Sequence, residues 1–358
     1  MVHTSLTKGS HIMTRTEATD VTEPKSAPAG VILRPFAGEA DLRAFVEIYG
    51  SGNRADDIEE VISYEALANW ADHPSEHFAA DRDLVVAEAD GRPVAYGWTQ
   101  WVDTTDGVRE YVTRGHVHGA WRRRGIGTAI LRWNEAHLRD VAASHDTDRP
   151  RVFGAGTNER RAGAVALLER NGYTPVRWFF EMLRPTLDDI VVPPLPSGLV
   201  LRVPGPDEMR KVYDADLEAF ADHWGGFDST EAAYQRWLRD PDYDPALFVV
   251  AWDGDEVAGA VWNVIMEHDN AAFGWKRGLL DSVHVRRPWR GRGLASSLVG
   301  HSLALLRDRG MTSAALGVDA DNPLGALGLY RKAGFEVDMR SMGFRKPMEP
   351  MEQMEMGR

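Results

Sequence analysis

The sequence predicts an α/β protein built from two similar domains in tandem. Segments with strand and helix patterns alternate along the chain, short segments recur in the same order in both halves, and a proline-rich stretch separates the halves. A chain of 358 residues also exceeds what one hydrophobic core usually serves. We therefore expect a mixed, twisted sheet flanked by helices in each domain.

The repeat sets the predicted domain boundaries. The arginine- and glycine-rich segment 122–127 recurs as 290–295, at the same spacing by which Leu33-Arg34 recurs as Leu201-Arg202. The predicted domains are residues 31–184 and 199–347, joined by a linker at 185–198 that holds several prolines. Residues 1–30 are polar and aperiodic and predict a disordered tail, and 348–358 form a second tail.

Each half follows the same order of elements. Two hairpins are predicted around Asp-Gly turns, with strands at 84–88 and 94–100 in the first half and at 248–251 and 257–265 in the second. A further strand, 110–118 or 280–285, leads into each glycine turn, where helical periodicity begins. Another strand, 151–155 or 313–318, follows each helix.

Composition narrows the classes of function. The chain has no cysteine, which excludes disulfides, thiolate zinc sites and a cysteine nucleophile. A net charge of -13 disfavours nucleic acids and anionic membranes as partners. No apolar run approaches the ~20 residues that cross a bilayer and no signal peptide is evident, so a cytoplasmic location is expected.

A strand that enters a glycine-rich turn and then a helix can hold phosphate. The first helical turn leaves backbone N–H groups without partners and carries partial positive charge. Two other phosphate-binding patterns fail, because Ile130 and Ser296 stand where a dinucleotide fingerprint needs glycine, and no Gly-Lys-Ser/Thr follows either turn. The arginines would ordinarily form a solvated surface, but their repetition at both turns favours phosphate binding.

At these residues the chain resembles the GNAT acetyltransferase superfamily. The pattern Arg-x-x-Gly-x-Gly/Ala is similar to the coenzyme A pyrophosphate motif of that superfamily, and it is followed in both halves by a helix that ends in Gly-aromatic. The resemblance implies acetyl-CoA as co-substrate and no metal. It implies coenzyme-binding residues at Val283, His284, Val285, Arg290, Gly291, Arg292, Gly293, Leu294, Ala295 and Asn322, and at Arg122, Arg124, Gly125 and Gly127.

The resemblance also implies catalytic roles in the second half. Tyr330 matches the tyrosine that protonates the departing thiolate, and Asp281 matches the strand position where many members carry a glutamate base. The N–H group of Val285 is the expected oxyanion donor, and His284 should face away from Asp281 on a regular strand. Structural interpretations stay open, with Tyr330 as a core aromatic and Asp281 as a solvated or capping carboxylate.

The first half departs from this pattern. Leu168 stands where the second half has Tyr330, and Thr113 stands where it has Asp281. Neither leucine nor threonine can replace the acid and the base, so we expect the first domain to be degenerate and the chemistry to lie in the second.

The acceptor site is less legible in the sequence. Asp222, His223 and Trp224 follow the first helix of the second half, where an acidic and an aromatic side chain would suit an ammonium group, although Trp224 is equally explained as an anchor at a helix end. His116 and His118 have the spacing of strand metal ligands but lack a third ligand.

The expected function is N-acetylation of a primary amine on a small molecule, by direct attack on acetyl-CoA. The alternative is a catalytically inactive acyl-CoA sensor or interaction protein. The sequence leaves the amine and the oligomeric state open.

Overall fold

The computed structural model describes residues 27–221, 223–225, 228–322 and 325–349. They form two compact units. The first unit comprises the described residues up to Val176, Thr230–Pro241, and those from Gly343 onward; the second comprises Arg177–Ser229 and Asp242–Met342. No helix in these ranges is long and apolar enough to span a bilayer.

The elements alternate as predicted. The first half contains β1 (Val31–Pro35), α1 (Glu39–Ala55), α2 (Tyr64–Asp72), α3 (Ala80–Asp83), β2 (Leu84–Ala89), β3 (Arg92–Asp103), β4 (Arg109–Val117), α4 (Ile126–Ala143), β5 (Arg151–Asn158), α5 (Ala162–Arg170) and β6 (Thr174–Arg184). The second contains β7 (Val200–Leu201), α6 (Met209–Phe220), α7 (Glu231–Leu238), β8 (Val249–Asp253), β9 (Glu256–Val264), α8 (Glu267–Phe273), β10 (Arg277–Val285), α9 (Leu294–Asp308), β11 (Ser313–Asp319), α10 (Ala326–Lys332) and β12 (Glu336–Pro347).

The sheet of the first unit has the order β1-β2-β3-β4-β5, followed by the C-terminal end of β12. Strands β1 to β4 pair antiparallel, whereas β4 and β5 pair in parallel because α4 crosses between them. Helix α1 packs on one face of β3 and β4 and helix α4 on the other. Phe45 of α1 and Tyr96 of β3 stack at 4.0 Å between ring centroids in the core under α1.

The sheet of the second unit has the order β7-β8-β9-β10-β11-β6, with the first part of β12 next to β6. Strands β10 and β11 pair in parallel around α9, and α6 covers β9 and β10 on the opposite face. The α9 side of the core is fully buried at Leu298, Val299 and Leu306. The predicted mixed α/β architecture is thus confirmed in both units.

The end of the predicted first domain and the predicted linker belong to the second unit. Strand β6 pairs antiparallel with β11 from Arg184 to Phe179. In the predicted linker, Leu187 is 1% exposed and donates its N–H to Thr312 O, and Pro193 O accepts a hydrogen bond from Ser297 of α9. The predicted domain limits remain a prediction, since the compact units divide the chain inside β6 and β12.

Candidate active site

The glycine turn of the second unit is open in front of helix α9. Gly291 and Gly293 have φ of +72° and +82°, in the left-handed region where glycine alone is unstrained. A Cβ built on either residue meets no atom within 4 Å among the residues that the structure describes. Leu294 begins the 15-residue helix α9 directly after Gly293, as predicted. Among the described residues, nothing covers the turn at these two positions, as the binding of a phosphate at the helix N-terminus would require.

The two arginines of this turn differ in what they contact. The Arg290 guanidinium donates to two backbone oxygens, Val285 O at 2.9 Å and Ala219 O at 3.2 Å. Arg292 is exposed beside Gly293, and Ala295 is partly buried in the first turn of α9. Arg290 thus fixes the shape of the loop, while Arg292 stands free to meet an anion.

Strands β10 and β11 separate just before the turn. Their parallel pairing ends at Leu280 opposite Leu316. Arg286 donates its N–H to Ala258 O on β9, and antiparallel strands alternate their bonding direction, so the N–H groups of Val283 and Val285 point away from β9 toward the gap. The gap therefore offers backbone donors to a ligand, as the prediction for Val285 requires.

Asp281 lies where this gap opens. It is the extra residue of a bulge, because Leu280 pairs with Asn263 and Ser282 with the adjacent Trp262. The Asp281 side chain is partly exposed. Asp281 thus follows the last residue that pairs with β11 and precedes Val283 and Val285 along β10.

Ser282 and His284 turn to the opposite face, under helix α6. His284 Nδ1 lies 3.0 Å from Asp216 Oδ1, and the Ser282 hydroxyl donates to the same carboxylate. His284 Nε2 is buried and has no hydrogen-bond partner in the described ranges. The prediction that His284 faces away from Asp281 assumed a regular strand, and the bulge at Asp281 interrupts that regularity, so it stays a prediction. The imidazole of His284 lies under α6, so its side chain is not placed to bind coenzyme in the gap.

Sequence reasoning missed Asp216. Its signal was present, since Val212, Asp216 and Phe220 share one face of α6 and all three are buried. A carboxylate on an otherwise apolar helix face indicates a buried polar partner.

Tyr330 lies in α10 and is 5% exposed. Its ring packs edge-on against Phe335 at 6.1 Å between centroids. Burial raises the pKa of Tyr330 well above its usual value, so the hydroxyl remains a proton donor through neutral and alkaline pH. Asn322, which precedes α10 along the chain, donates its N–H to Asp319 O and accepts from Gly325 N–H.

Of the three residues predicted to bind the acceptor, the structure describes His223 and Trp224. Asp222 lies outside the described residues. His223 packs edge-on against Phe220 at 4.4 Å, and burial lowers its pKa. Trp224 lies 6.0 Å from Phe179, centroid to centroid, and the Arg177 guanidinium lies 5.9 Å from its ring. Arg177 donates three hydrogen bonds to Asp319, which hold its guanidinium beside the Trp224 ring.

The glycine turn of the first unit has the same backbone but is covered. Gly125 has φ of +83°, and a Cβ there would lie 3.3 Å from Cγ of Pro28. Arg122 forms a bidentate ion pair with Asp56 of the α1–α2 loop at 2.6 and 2.7 Å. Arg124 stacks on Trp121 at 4.5 Å, and a Cβ on Gly127 would contact Leu167 at 3.4 Å. The residues expected to bind coenzyme here are already engaged with protein groups.

The first unit also lacks the chemical groups of the second. Leu168 is buried in α5, and Thr113 accepts a hydrogen bond from Asn134 of α4 at 2.6 Å. His116 and His118 diverge, since His118 caps the turn at Ala120 while His116 packs between Tyr49 and Tyr96. Within the residues that the structure describes, no group of three or more His, Asp or Glu side chains is arranged to hold a metal ion.

Comparison with known proteins identifies both halves. Residues 209–335 match the acetyltransferase (GNAT) family, and residues 80–175 match an acetyltransferase (GNAT) domain. A mycothiol acetyltransferase of Salinispora tropica is 30% identical over 300 residues, which cover 83% of this chain and 89% of that relative. One from Catenulispora acidiphila is 29% identical, covering 86% and 95% of the two chains.

Solved structures agree with this assignment. A GCN5-related N-acetyltransferase from Sphaerobacter thermophilus is 28% identical with a TM-score of 0.67, covering 91% of this chain and 98% of the other. A tandem GNAT protein from the clavulanic acid biosynthesis pathway shares the fold, with a TM-score of 0.60 at 19% identity over 89% and 99% of the chains. These chains are acetyltransferases whose family uses acetyl-CoA as acyl donor. This protein therefore belongs to the GNAT family of acetyltransferases and carries two GNAT domains in tandem.

Proposed function

We propose that the second unit transfers an acetyl group from acetyl-CoA to a primary amine of a small molecule. The observation that carries this proposal is the contrast between the open turn at Gly293 and the covered turn at Gly125. The unit with the open turn also holds Tyr330 and Asp281, whereas the other has Leu168 and Thr113 at the matching positions. This contrast supports placing the proposed coenzyme site and the proposed chemical groups in the same unit.

The residues divide the work of a direct attack. The amine nitrogen attacks the thioester carbonyl, the new C–N bond forms, and the C–S bond breaks. Asp281 takes the proton that the amine loses, the N–H of Val285 donates to the carbonyl oxygen as it gains negative charge, and Tyr330 gives its proton to the departing sulfur. Gly291, Arg292 and Gly293 bind the pyrophosphate through backbone N–H groups and one guanidinium.

Asp281 suits the role of base better than His284 does. Both residues lie on β10, three positions apart, but the His284 imidazole is buried beneath α6 with its Nδ1 held by Asp216. Asp281 is partly exposed at the mouth of the gap, where an amine can approach. We assign His284, Asp216 and Ser282 a structural role that holds α6 against β10.

A thiol-release assay with acetyl-CoA and a panel of primary amines tests the function. The names of the relatives make a mycothiol-related amine the first acceptor to include, alongside amino sugars and small polyamines. We expect one class of amine to release coenzyme A thiol well above the rate of acetyl-CoA hydrolysis. If no amine does so while acetyl-CoA binds, the proposal of catalysis is wrong.

The choice of base has its own test. Asp281→Asn should lower kcat by a factor on the order of 10² and weaken its rise with pH, because an amide cannot accept the proton. His284→Gln, its matched control on the same strand, should change stability more than kcat. The reverse pattern would move the base to His284.

A further inference from the structure

The first unit contains a second cluster of ionisable side chains on the α1 side of β4. Arg114 and His116 project from β4 beyond Val112, the last residue that pairs with β5. Tyr49 lies on α1, and Arg161 stands just before α5. All four side chains are partly exposed, and Gly115 and Gly156 beside them are exposed. The cluster therefore lines an accessible gap between the ends of β4 and β5.

The two guanidinium groups in this gap have no carboxylate partner in the described part of the chain. Arg161 donates from Nη2 to Asn53 Oδ1 at 2.6 Å, its Nη1 lies 3.5 Å from His116 Nδ1, and its Nε is buried without a hydrogen-bond partner. Arg114 lies against Gly156, where a Cβ would collide with its Nη1. An N–H group withdrawn from water, as that of Arg161 Nε is, needs an acceptor.

The carboxylates nearby are already engaged. Glu60 accepts the Tyr49 hydroxyl at 2.5 Å, and Glu110 accepts Arg345 Nε at 2.8 Å. Burial lowers the pKa of Arg114, the negative charge of Glu110 opposes this shift, and the positive charge of Arg161 lowers the pKa further. Burial and the same arginines hold the pKa of His116 well below its usual value, so this histidine is neutral and can donate one ring N–H.

The positive character belongs to the first unit alone. The repeat places Ser282 at the position of Arg114 and His284 at that of His116. In the second unit the histidine faces the carboxylate of Asp216, whereas in the first it faces Arg161. The histidine at this strand position thus faces a negative side chain in the second unit and a positive one in the first.

We propose that the first unit binds a small organic anion, bearing a carboxylate or phosphate group, between the ends of β4 and β5 through Arg114 and Arg161. Two guanidinium groups offer paired donors that match the oxygens of either group. The rings of Tyr49 and Tyr96 border the site and favour a ligand with a short carbon skeleton. This site would give the unit a ligand of its own although its glycine turn is covered.

Calorimetric titration of the full-length protein tests the proposal. Succinate and citrate represent the carboxylates, inorganic phosphate and glucose 6-phosphate represent the phosphates, and sodium chloride holds the ionic strength constant. We expect saturable binding of one class. Arg161→Gln and Arg114→Gln should each weaken it about 10- to 100-fold, since each removes a charge-assisted hydrogen bond.

Matched variants separate this site from its surroundings. Arg160→Gln removes an exposed arginine adjacent in sequence, which donates to the backbone oxygen of Asp57, and should leave the affinity unchanged. Gly293→Glu, in the other unit, should also bind the anion normally. Arg114→Gln should leave the melting temperature of the anion-free protein the same or higher, because it relieves repulsion with Arg161.

The titrations distinguish the class of anion and test whether the site exists. Binding of carboxylates alone or of phosphates alone names the source of the oxyanion. If neither class binds the unchanged protein, or if Arg161→Gln and Arg114→Gln bind as well as Arg160→Gln does, the site does not exist. Should Arg114→Gln fold poorly, Arg114→Lys keeps the charge and loses the paired donors, and it must then weaken binding for the proposal to stand.

Discussion

The glycine turns of the two units have nearly the same backbone and very different surroundings. Gly125 and Gly293 precede α4 and α9 with φ of +83° and +82°. A Cβ on Gly125 would contact Pro28, whereas a Cβ on Gly293 would meet no atom of the described residues within 4 Å. Arg123 occupies the position of Gly291 and adopts φ of +63° there, although it has a Cβ. The turn is thus required by the fold in both units, and only its neighbours show whether it can hold a ligand.

The largest expected effect comes from filling the open turn. Gly293→Glu places a carboxylate where pyrophosphate would bind, and the loss of two charge-assisted hydrogen bonds should weaken acetyl-CoA binding by more than about 100-fold. Gly125→Glu imposes the same backbone strain in the first unit and should leave binding unchanged. Calorimetry on both variants, with circular dichroism to verify folding, checks this; equal losses in the two would erase the distinction between the turns.

Removing the proposed acid should produce the next largest effect. Tyr330→Phe keeps the buried ring and should reduce kcat by a factor on the order of 10², with little change in KM for acetyl-CoA. Because burial raises the pKa of Tyr330, the unchanged enzyme should show no loss from this group as pH rises to about 10. Steady-state kinetics across pH give both results, and full activity of Tyr330→Phe would show that the tyrosine only packs the core.

The ion pair at the covered turn should affect stability and leave binding intact. Arg122→Gln breaks the bidentate contact with Asp56. The side chain of Arg122 is 31% exposed and that of Asp56 is 12% exposed. We expect a loss of about 1 to 2 kcal/mol in the free energy of unfolding. Denaturant titration measures it, and acetyl-CoA affinity should not change. A large fall in affinity would mean that the first unit binds coenzyme after all.

The smallest effect should come from relieving strain in the covered turn. Arg123→Gly removes a left-handed residue that costs roughly 1 to 2 kcal/mol, and the added freedom of glycine in the unfolded chain offsets part of this. We expect a gain of about 0.5 kcal/mol. Thermal unfolding of Arg123→Gly and of Gly291→Ala measures both effects. The melting temperature should rise in the first variant and fall in the second.

Most helices and strands could be predicted from the sequence because hydrophobic periodicity and turn residues depend on interactions between residues close in sequence. The helices that begin at Ile126 and Leu294 follow from the glycine turns, and the hairpins follow from their Asp-Gly turns. Strand ends moved by a few residues, as at Arg277, which precedes the predicted start at Leu280. Backbone pairing, which extends strands beyond their apolar residues, accounts for these shifts.

The site was less legible because its decisive contacts join residues distant in sequence. Nothing near Gly125 indicates that Pro28 covers it, and nothing near Arg122 indicates its pairing with Asp56. The bulge at Asp281 is equally hidden, since it depends on the register with β9. The roles of Tyr330 and Asp281 remain proposals, and Asp222 lies outside the described residues.

Strand β6 has a consequence for any attempt to divide the protein. It ends the first repeat in sequence, yet from Arg177 onward it belongs to the second unit and pairs with β11. A fragment that starts at the predicted second domain, residue 199, would expose the edge of β11 and its unpaired N–H and C=O groups, which favours aggregation. A fragment meant to fold by itself should therefore begin before Arg177, so the duplicated sequence no longer divides into two self-sufficient copies.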